Sequence, residues 1–225
     1  METQKLSLIH LVHQPSSREG APPLLLLLHG VGSNEHDLFE LVPALDKRFL
    51  IISVRAPNTL EAGSYAWFEI MFRPGLPPLI NPEQAEASRK ALLRFINEAV
   101  SAYGADASQV YLMGFSQGAI MSASIMLTQP KLVAGAVLMS GRVLPEVLPL
   151  RAPAEELAGF PVLVVHGRAD AVLPIHHAHE SRQLFSELPV KLDYREYAMG
   201  HEVSLESLSD VSEWLSEQLD SKKSK

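Results

Sequence analysis

The chain has no cysteine among its 225 residues. That excludes disulfides, thiolate zinc sites and a cysteine nucleophile together. Without thiols the redox compartment is left open, and the cytoplasm is the simplest expectation. Positive charge is also short. Lys and Arg number 19 against 26 Asp and Glu, a net charge of −7, and no basic cluster precedes the last few residues. A nucleic-acid surface is therefore not expected. Long apolar runs are missing: Leu24–Leu28 falls far below the ~20 residues of a membrane helix, so no membrane insertion is expected. Met1-Glu2-Thr3-Gln4-Lys5 has no basic start leading into an apolar stretch, so no signal peptide is expected. There is no internal repeat and no low-complexity block.

What is present is 47% apolar and 20% charged, the balance of a globular chain. The length suits one domain, expected over residues 1–220, with a polar tail at 221–225. Continuous apolar runs at Leu24–Leu28, 49–52, 110–113, 134–139 and 162–165 suit strands buried on both faces. Pro22 and Pro23 before the leucine run, and Gly30 after it, leave a helix there too short to form. Lys191–Tyr197 is predicted as a late strand and residues 6–12 as an antiparallel edge strand.

Helical patterns alternate with these runs. In Pro82–Tyr103, Asn81 reads as N-cap, Pro82 as the first helical residue and Gln84 as the side chain reaching back to close a capping box. Leu92, Phe95, Ile96, Ala99, Val100 and Tyr103 form one apolar stripe, which Gly104 ends. Further helices are predicted over 37–45, 116–128, 176–187 and 204–219. Strands alternating with helices predict a mostly parallel sheet of about seven strands covered on both faces. The longest connection, residues 56–81, is expected to carry function or minor structure of its own.

Gly114-Phe115-Ser116-Gln117-Gly118 has the form G-x-S-x-G. At ~7% usage of Gly and Ser, such a match arises by chance in somewhat under about one chain in ten. Its setting is more telling, because it follows one predicted strand and opens one predicted helix. A serine nucleophile needs a base, and the base needs an orienting acid. Asp170 follows the strand at 162–165, and His201 follows Lys191–Tyr197, so both fall at the sheet edge that carries Ser116. The order Ser116, Asp170, His201 is that of a serine hydrolase built on a parallel sheet. His29-Gly30-Val31-Gly32, after the first parallel strand, supplies a turn whose Val31 amide would point at a developing oxyanion. The Gln117 amide, in the unpaired first turn of its helix, would supply the second donor.

The segments LHGVG, YLMGFSQGA, VLVVHGRADAVLP and GHEVS, in this order and at these separations, resemble the phospholipase/carboxylesterase family of α/β-hydrolases, which includes the acyl-protein thioesterases and many small bacterial esterases. The likeness runs from about residue 6 to 219. It implies the α/β-hydrolase fold without a separate lid domain. It implies Ser116 as nucleophile, Asp170 and His201 as its partners, and Val31 and Gln117 as the oxyanion amides. Trp67-Phe68-Glu69 resembles the segment lining that family's acyl pocket; Met71 joins Trp67 and Phe68 as a substrate contact on its neighbourhood alone.

The expected function is hydrolysis of carboxylic esters, with thioesters or lysophospholipids as alternatives within the class, through an acyl-serine intermediate. No metal and no cofactor is needed, and the partner is a small-molecule ester or thioester. Two other readings are acyl transfer to an acceptor other than water and a non-catalytic ligand-binding member of the fold. A dienelactone-hydrolase-type reading is weakened by the absence of cysteine. The sequence leaves a homodimer open. His176, His179 and Glu180 invite a metal reading, but a solvated helix start beside Pro174 explains them better. His29 is expected to hold the oxyanion turn by hydrogen bonding rather than to act as a base.

Overall fold

The computed structural model describes residues 4–16, 20–73 and 76–223. Its centre is a seven-stranded sheet in the spatial order β1-β3-β2-β8-β9-β10-β11. The strands are β1 (His10–His13), β2 (Leu24–Leu28), β3 (Leu50–Val54), β8 (Val110–Phe115), β9 (Gly135–Met139), β10 (Pro161–Gly167) and β11 (Lys191–Tyr197). Only β1 runs antiparallel, against β3; the other neighbours pair in parallel. The edge strand expected at residues 6–12 is present but lies further along the chain, at His10–His13.

The apolar runs explain the layering. Side chains of a strand alternate between faces, so one run feeds two cores. Leu24, Leu26 and Leu28 join Ile52, Leu112, Leu138 and Val164 on one side of the sheet. Leu25 and Leu27 join Ile51, Met113, Val137 and Leu163 on the other. All five leucines are wholly buried, each worth about 1.5–3 kcal/mol against exposure.

Helices α1 (Pro82–Tyr103), α2 (Gln117–Thr128) and α3 (His176–Ser186) serve the first core, the last through Phe185. A 3-10 helix (Leu38–Ala44) and α4 (Leu205–Lys223) cover the second through Leu38, Val42, Val211, Trp214 and Leu215. Helix α4 continues past the expected end at 219 to Lys223, and Lys222 Nζ donates to the Ser108 carbonyl at 2.5 Å. Helix α1 starts as expected, with Asn81 Oδ1 accepting from the Gln84 amide at 3.1 Å. The capping box does not close. Gln84 Oε1 instead accepts from the Glu69 amide at 2.7 Å, because Glu69 O already takes the Asn81 amide at 3.0 Å.

The 56–81 connection holds two small hairpins: β4 (Asn58–Glu61) with β5 (Ser64–Ala66), and β6 (Ile70–Arg73) with β7 (Leu76–Ile80). Among the described residues no helix is long and apolar enough to cross a membrane. The strand order reverses between β2 and β8, since β3 follows β2 on one side and β8 pairs on the other. In open parallel sheets the crevice at the carboxyl ends beside such a reversal is where ligands bind.

Candidate active site

That crevice collects the residues singled out from the sequence. Leu28 pairs with Gly114, so Val31 and Ser116 leave neighbouring strands at the same edge. Gly167 pairs with Tyr197, which puts Asp170 and His201 at that edge too.

Ser116 sits in a backbone of φ 54 and ψ −117, a left-handed conformation that costs a non-glycine residue about 1–3 kcal/mol. The flanking glycines explain how so sharp a turn fits. A Cβ on Gly114 would lie 2.3 Å from Gly118 O, and one on Gly118 would lie 1.8 Å from Leu28 O. The serine side chain makes no capping bond to helix α2. Its Oγ instead faces His201 Nε2 at 3.0 Å.

His201 Nδ1 lies 2.7 Å from Asp170 Oδ2. A carboxylate only accepts, so the proton belongs on Nδ1 and Nε2 is left as a bare acceptor toward Ser116. Asp170 is itself cradled. Its Oδ1 accepts from the amides of Val172 at 2.9 Å and Leu173 at 2.8 Å. The buried His166 places Nε2 3.4 Å from Oδ2 while bonding Leu173 O at 2.7 Å. Burial lowers the His166 pKa, which keeps this ring neutral. The acid and the histidine meet because the two loops are bonded: Arg168 N donates to Tyr197 O at 2.9 Å and Ala169 N to Met199 O at 3.1 Å. Gly167 permits the approach, since a Cβ there would lie 2.3 Å from Gly200 O. The His201 side chain remains 16% exposed, open to substrate and water, against a wholly buried Asp170 side chain.

The turn after β2 passes directly over the serine; a Cβ on Gly30 would lie 3.3 Å from Ser116 Cβ. Gly32 N donates to Tyr65 O at 2.9 Å and Ser33 N to Gly30 O at 3.4 Å. Among the described residues the Val31 amide has no backbone acceptor, and the Gln117 amide opens helix α2, where no intrahelical partner exists. His29 is wholly buried. Its Nε2 accepts from the Ala56 amide at 3.0 Å and its Nδ1 donates to Gly30 O at 2.7 Å. Burial holds its pKa below the usual histidine value, so the ring is neutral and fully engaged.

The expected substrate contacts separate. Trp67 and Phe68 are completely buried in the first core and present no surface to a substrate, which corrects their assignment to a pocket wall. The Trp67 indole donates to His29 O at 2.9 Å, so the need of its N–H for a partner draws the ring inward. Met71, on β6, is 62% exposed.

Sequence reasoning missed three partners of the site: the Gln117 side chain, Tyr65 and the Glu35–Arg55 pair. The signal for Gln117 was available, since a polar residue opens a helix whose other residues are nearly all small or apolar. On α3, where a solvated helix start is expected rather than a metal site, His176 and His179 do not group together. His179 Nε2 turns to Glu196 Oε1 at 2.9 Å, and it is His177 that lies with His176 and Glu180, their possible ligand atoms within 4.8 Å of one another.

The chain is similar to known proteins in sequence and in fold. Residues 11–219 match the sequence profile described as phospholipase/carboxylesterase. The chain is 27% identical to acyl-protein thioesterase 1 of Kluyveromyces lactis, covering 94% of this chain and 98% of that protein. A carboxylesterase from Bacillus cereus superposes with a TM-score of 0.78 at 26% identity, over 94% of this chain and 95% of that one. A carboxylesterase from Mesorhizobium loti does so at 0.74 and 28%, over 86% and 88%. With the profile spanning nearly the whole sequence and the same architecture in solved carboxylesterases, the chain belongs to the phospholipase/carboxylesterase family.

Proposed function

We propose that this protein hydrolyses carboxylic esters, with thioesters and lysophospholipids within reach of the same chemistry, through an acyl-serine intermediate. One observation carries the reading: Asp170, His201 and Ser116 are joined by contacts of 2.7 and 3.0 Å at the carboxyl edge of the sheet. Ser116 Oγ attacks the acyl carbon while its proton passes to His201 Nε2, and Asp170 stabilises the imidazolium that forms. The carbonyl oxygen becomes an oxyanion, held by the amides of Val31 and Gln117. Collapse of the tetrahedral centre breaks the bond to the leaving oxygen or sulfur, which takes the proton from His201. Water then attacks the acyl-serine with His201 again as base, releasing the acid and restoring Ser116. Met71 is a contact for the acyl chain beyond the reacting carbon.

The relatives' names favour both arms of the substrate class, since one is a thioesterase and the others are carboxylesterases. The test is a series of p-nitrophenyl esters and acyl-thioesters of graded length, assayed on wild type and Ser116→Ala, with fluorophosphonate labelling mapped to Ser116. Turnover by Ser116→Ala equal to wild type ends the reading. Neither labelling nor turnover of any ester or thioester, in a folded protein, points to a binding member of the fold.

A further inference from the structure

Two donors on separate elements act on one oxygen only if something holds them in register. In the reading above, on which this inference rests, those donors are the Val31 amide, in the turn after β2, and the Gln117 amide, at the start of α2. Glycine contacts bring the two segments together, but van der Waals contact sets only how near they come. Directional bonds must fix how the peptides are turned.

We propose that Trp67 and the side chain of Gln117 form a buried clamp, relayed through His29, that sets the relative orientation of the two oxyanion donors. The bonds run without a break from one donor residue to the other. The Trp67 amide donates to Gln117 Oε1 at 2.9 Å, and Gln117 Nε2 donates to Phe68 O at 2.6 Å. This pair of bonds fastens the carboxamide to the 67–68 backbone as a neighbouring strand would. The Trp67 indole N–H then donates to His29 O at 2.9 Å. His29 Nδ1 donates to Gly30 O at 2.7 Å. That carbonyl belongs to the same peptide unit as the Val31 N–H, so the bond fixes the plane of the donor peptide. It also polarises it, which strengthens the N–H as a donor.

Trp67 is anchored for the task. Its carbonyl accepts from Asn58 Nδ2 at 2.9 Å and from Ser88 Oγ, so every polar atom of the residue is bonded. Gln117, His29 and Trp67 are each 1% exposed or less, which removes water as a competitor for these bonds. Trp67 and His29 are positioning residues here, and so is the carboxamide of Gln117; none of these side chains touches the acyl group.

The test uses Trp67→Phe, which keeps an aromatic ring and removes the indole donor, and Gln117→Met, which keeps the length and removes both amide bonds. Misplacing a catalytic group by about 1 Å costs on the order of 100-fold, and losing one oxyanion donor about 100- to 1000-fold. Each variant should therefore lose ~10- to 100-fold in kcat on a p-nitrophenyl ester, with KM within about threefold. Because the two substitutions break one clamp, the double variant should be no more than about threefold worse than the poorer single.

An alkyl trifluoromethyl ketone supplies the readout that a merely structural role would not move. Ser116 Oγ bonds its carbonyl carbon, the hydroxyl proton passes to His201, and the oxygen becomes an anion in the same place as in turnover. Its inhibition constant should rise in step with the loss of kcat, while inhibition by the product carboxylic acid stays within about threefold. Thermal melts report whether each variant is folded, and either folded single variant suffices. Wild-type kcat in a folded Trp67→Phe or Gln117→Met protein overturns the clamp, as does a double loss equal to the product of the singles. Ser116→Ala separates the two ideas: if it is dead while the clamp variants are fully active, only the clamp fails; if it is active, the hydrolase reading itself fails.

Discussion

The two hairpins of the 56–81 segment follow one another directly and are built for different ends. The first, β4–β5, is tied to the site. Tyr65 exchanges backbone bonds of 2.9 Å with Gly32 and Ser33 in the oxyanion turn. Asn34 Nδ2 donates to Gly63 O at 2.9 Å. The Arg55 guanidinium lies 4.5 Å over the Tyr65 ring and is paired with Glu35, whose Oε2 accepts from Arg55 Nε at 2.6 Å. The second hairpin, β6–β7, turns Met71 and its cross-strand partner Leu79 outward, at 62% and 50% exposure. The first hairpin is mixed in composition and the second mostly apolar. What separates them further is the fate of their polar groups: the first spends them on the catalytic turn, and the second leaves apolar surface free for something to cover. In the proposed reading, the first belongs with the catalytic machinery and the second with substrate choice.

The largest test of that division is the triad itself. Ser116→Ala and His201→Ala should each lower kcat by about 10⁴-fold or more, and the double variant should be little worse, because the residues act as a unit. Steady-state kinetics on one ester checks this. Losses that multiply would dissolve the unit to which the first hairpin is said to belong.

Next comes Arg55→Met, which leaves Glu35 buried without its partner. Glu35 has 3% of its side chain exposed, Arg55 26%. Breaking a buried pair costs about 3–5 kcal/mol, and the partial exposure of Arg55 puts this case at about 3. At roughly 2–4 °C per kcal/mol for a chain of this size, Tm should fall by ~6–12 °C. Activity should fall as well, since the oxyanion turn loses a staple. A stable variant with full kcat would move the first hairpin into the same class as the second.

Acid should loosen the stapled region without any mutation. Burial lowers the pKa of His29, and of His10 and His166 elsewhere in the fold. Unfolding lets each ring take up a proton once the pH is below about 6.5, so their stabilising effect is complete above that pH and declines below it. The carboxylates extend the decline. Burial raises the Glu35 carboxyl, but the Arg55 guanidinium, a backbone hydrogen bond and the neighbouring His36 together outweigh it, and the group titrates below its ordinary value. Arg48 does the same for Asp46, brought down to about 2. Both contribute stability above their unfolded values that is lost as pH falls through the folded ones. Tm measured from pH 8 downward should therefore begin to fall near 6.5 and steepen below 4. A Tm that stays level to pH 4.5 would contradict the buried neutral histidines.

The smallest effect belongs to the second hairpin. Met71→Ala should leave Tm within a degree or two and acetate ester turnover within a few-fold. Each methylene that loses its contact removes ~0.8 kcal/mol, or about fourfold, so the rise of kcat/KM with acyl length should flatten by that factor. An equal loss on every ester would show that this hairpin serves the reaction and not the choice of acyl chain.

Much of the architecture was legible because it depends on short-range chemistry. Unbroken apolar runs such as Leu24–Leu28 can be buried only between two layers. Glycines at 114 and 118 around Ser116 announce a turn that forbids side chains. The order of Ser116, Asp170 and His201 follows from strands that all end at one edge. Direction within a compact loop was not legible. Trp67 stands between Ala66 and Phe68, and that neighbourhood marks it as buried without saying what it faces; only the position of His29 O, far away in sequence, settles where its N–H goes. Gln84 was misplaced for a similar reason. Its spacing from Asn81 fits a capping box, but a better-placed donor arrives from Glu69, in the link between the two hairpins. The Gln117 side chain lay hidden behind the interest of its own backbone amide.

The backbone at Ser116 sets fold and chemistry against each other at one residue. Its φ of 54 is a conformation glycine enters freely and serine does not. A chain improved for durability alone would discard the hydroxyl, and Ser116→Gly should melt above wild type while Ser116→Ala, with its own Cβ, should not. The most stable amino acid at this position and the most useful one are different, so variants gathered by heat selection without an activity screen should drift toward inert protein here first.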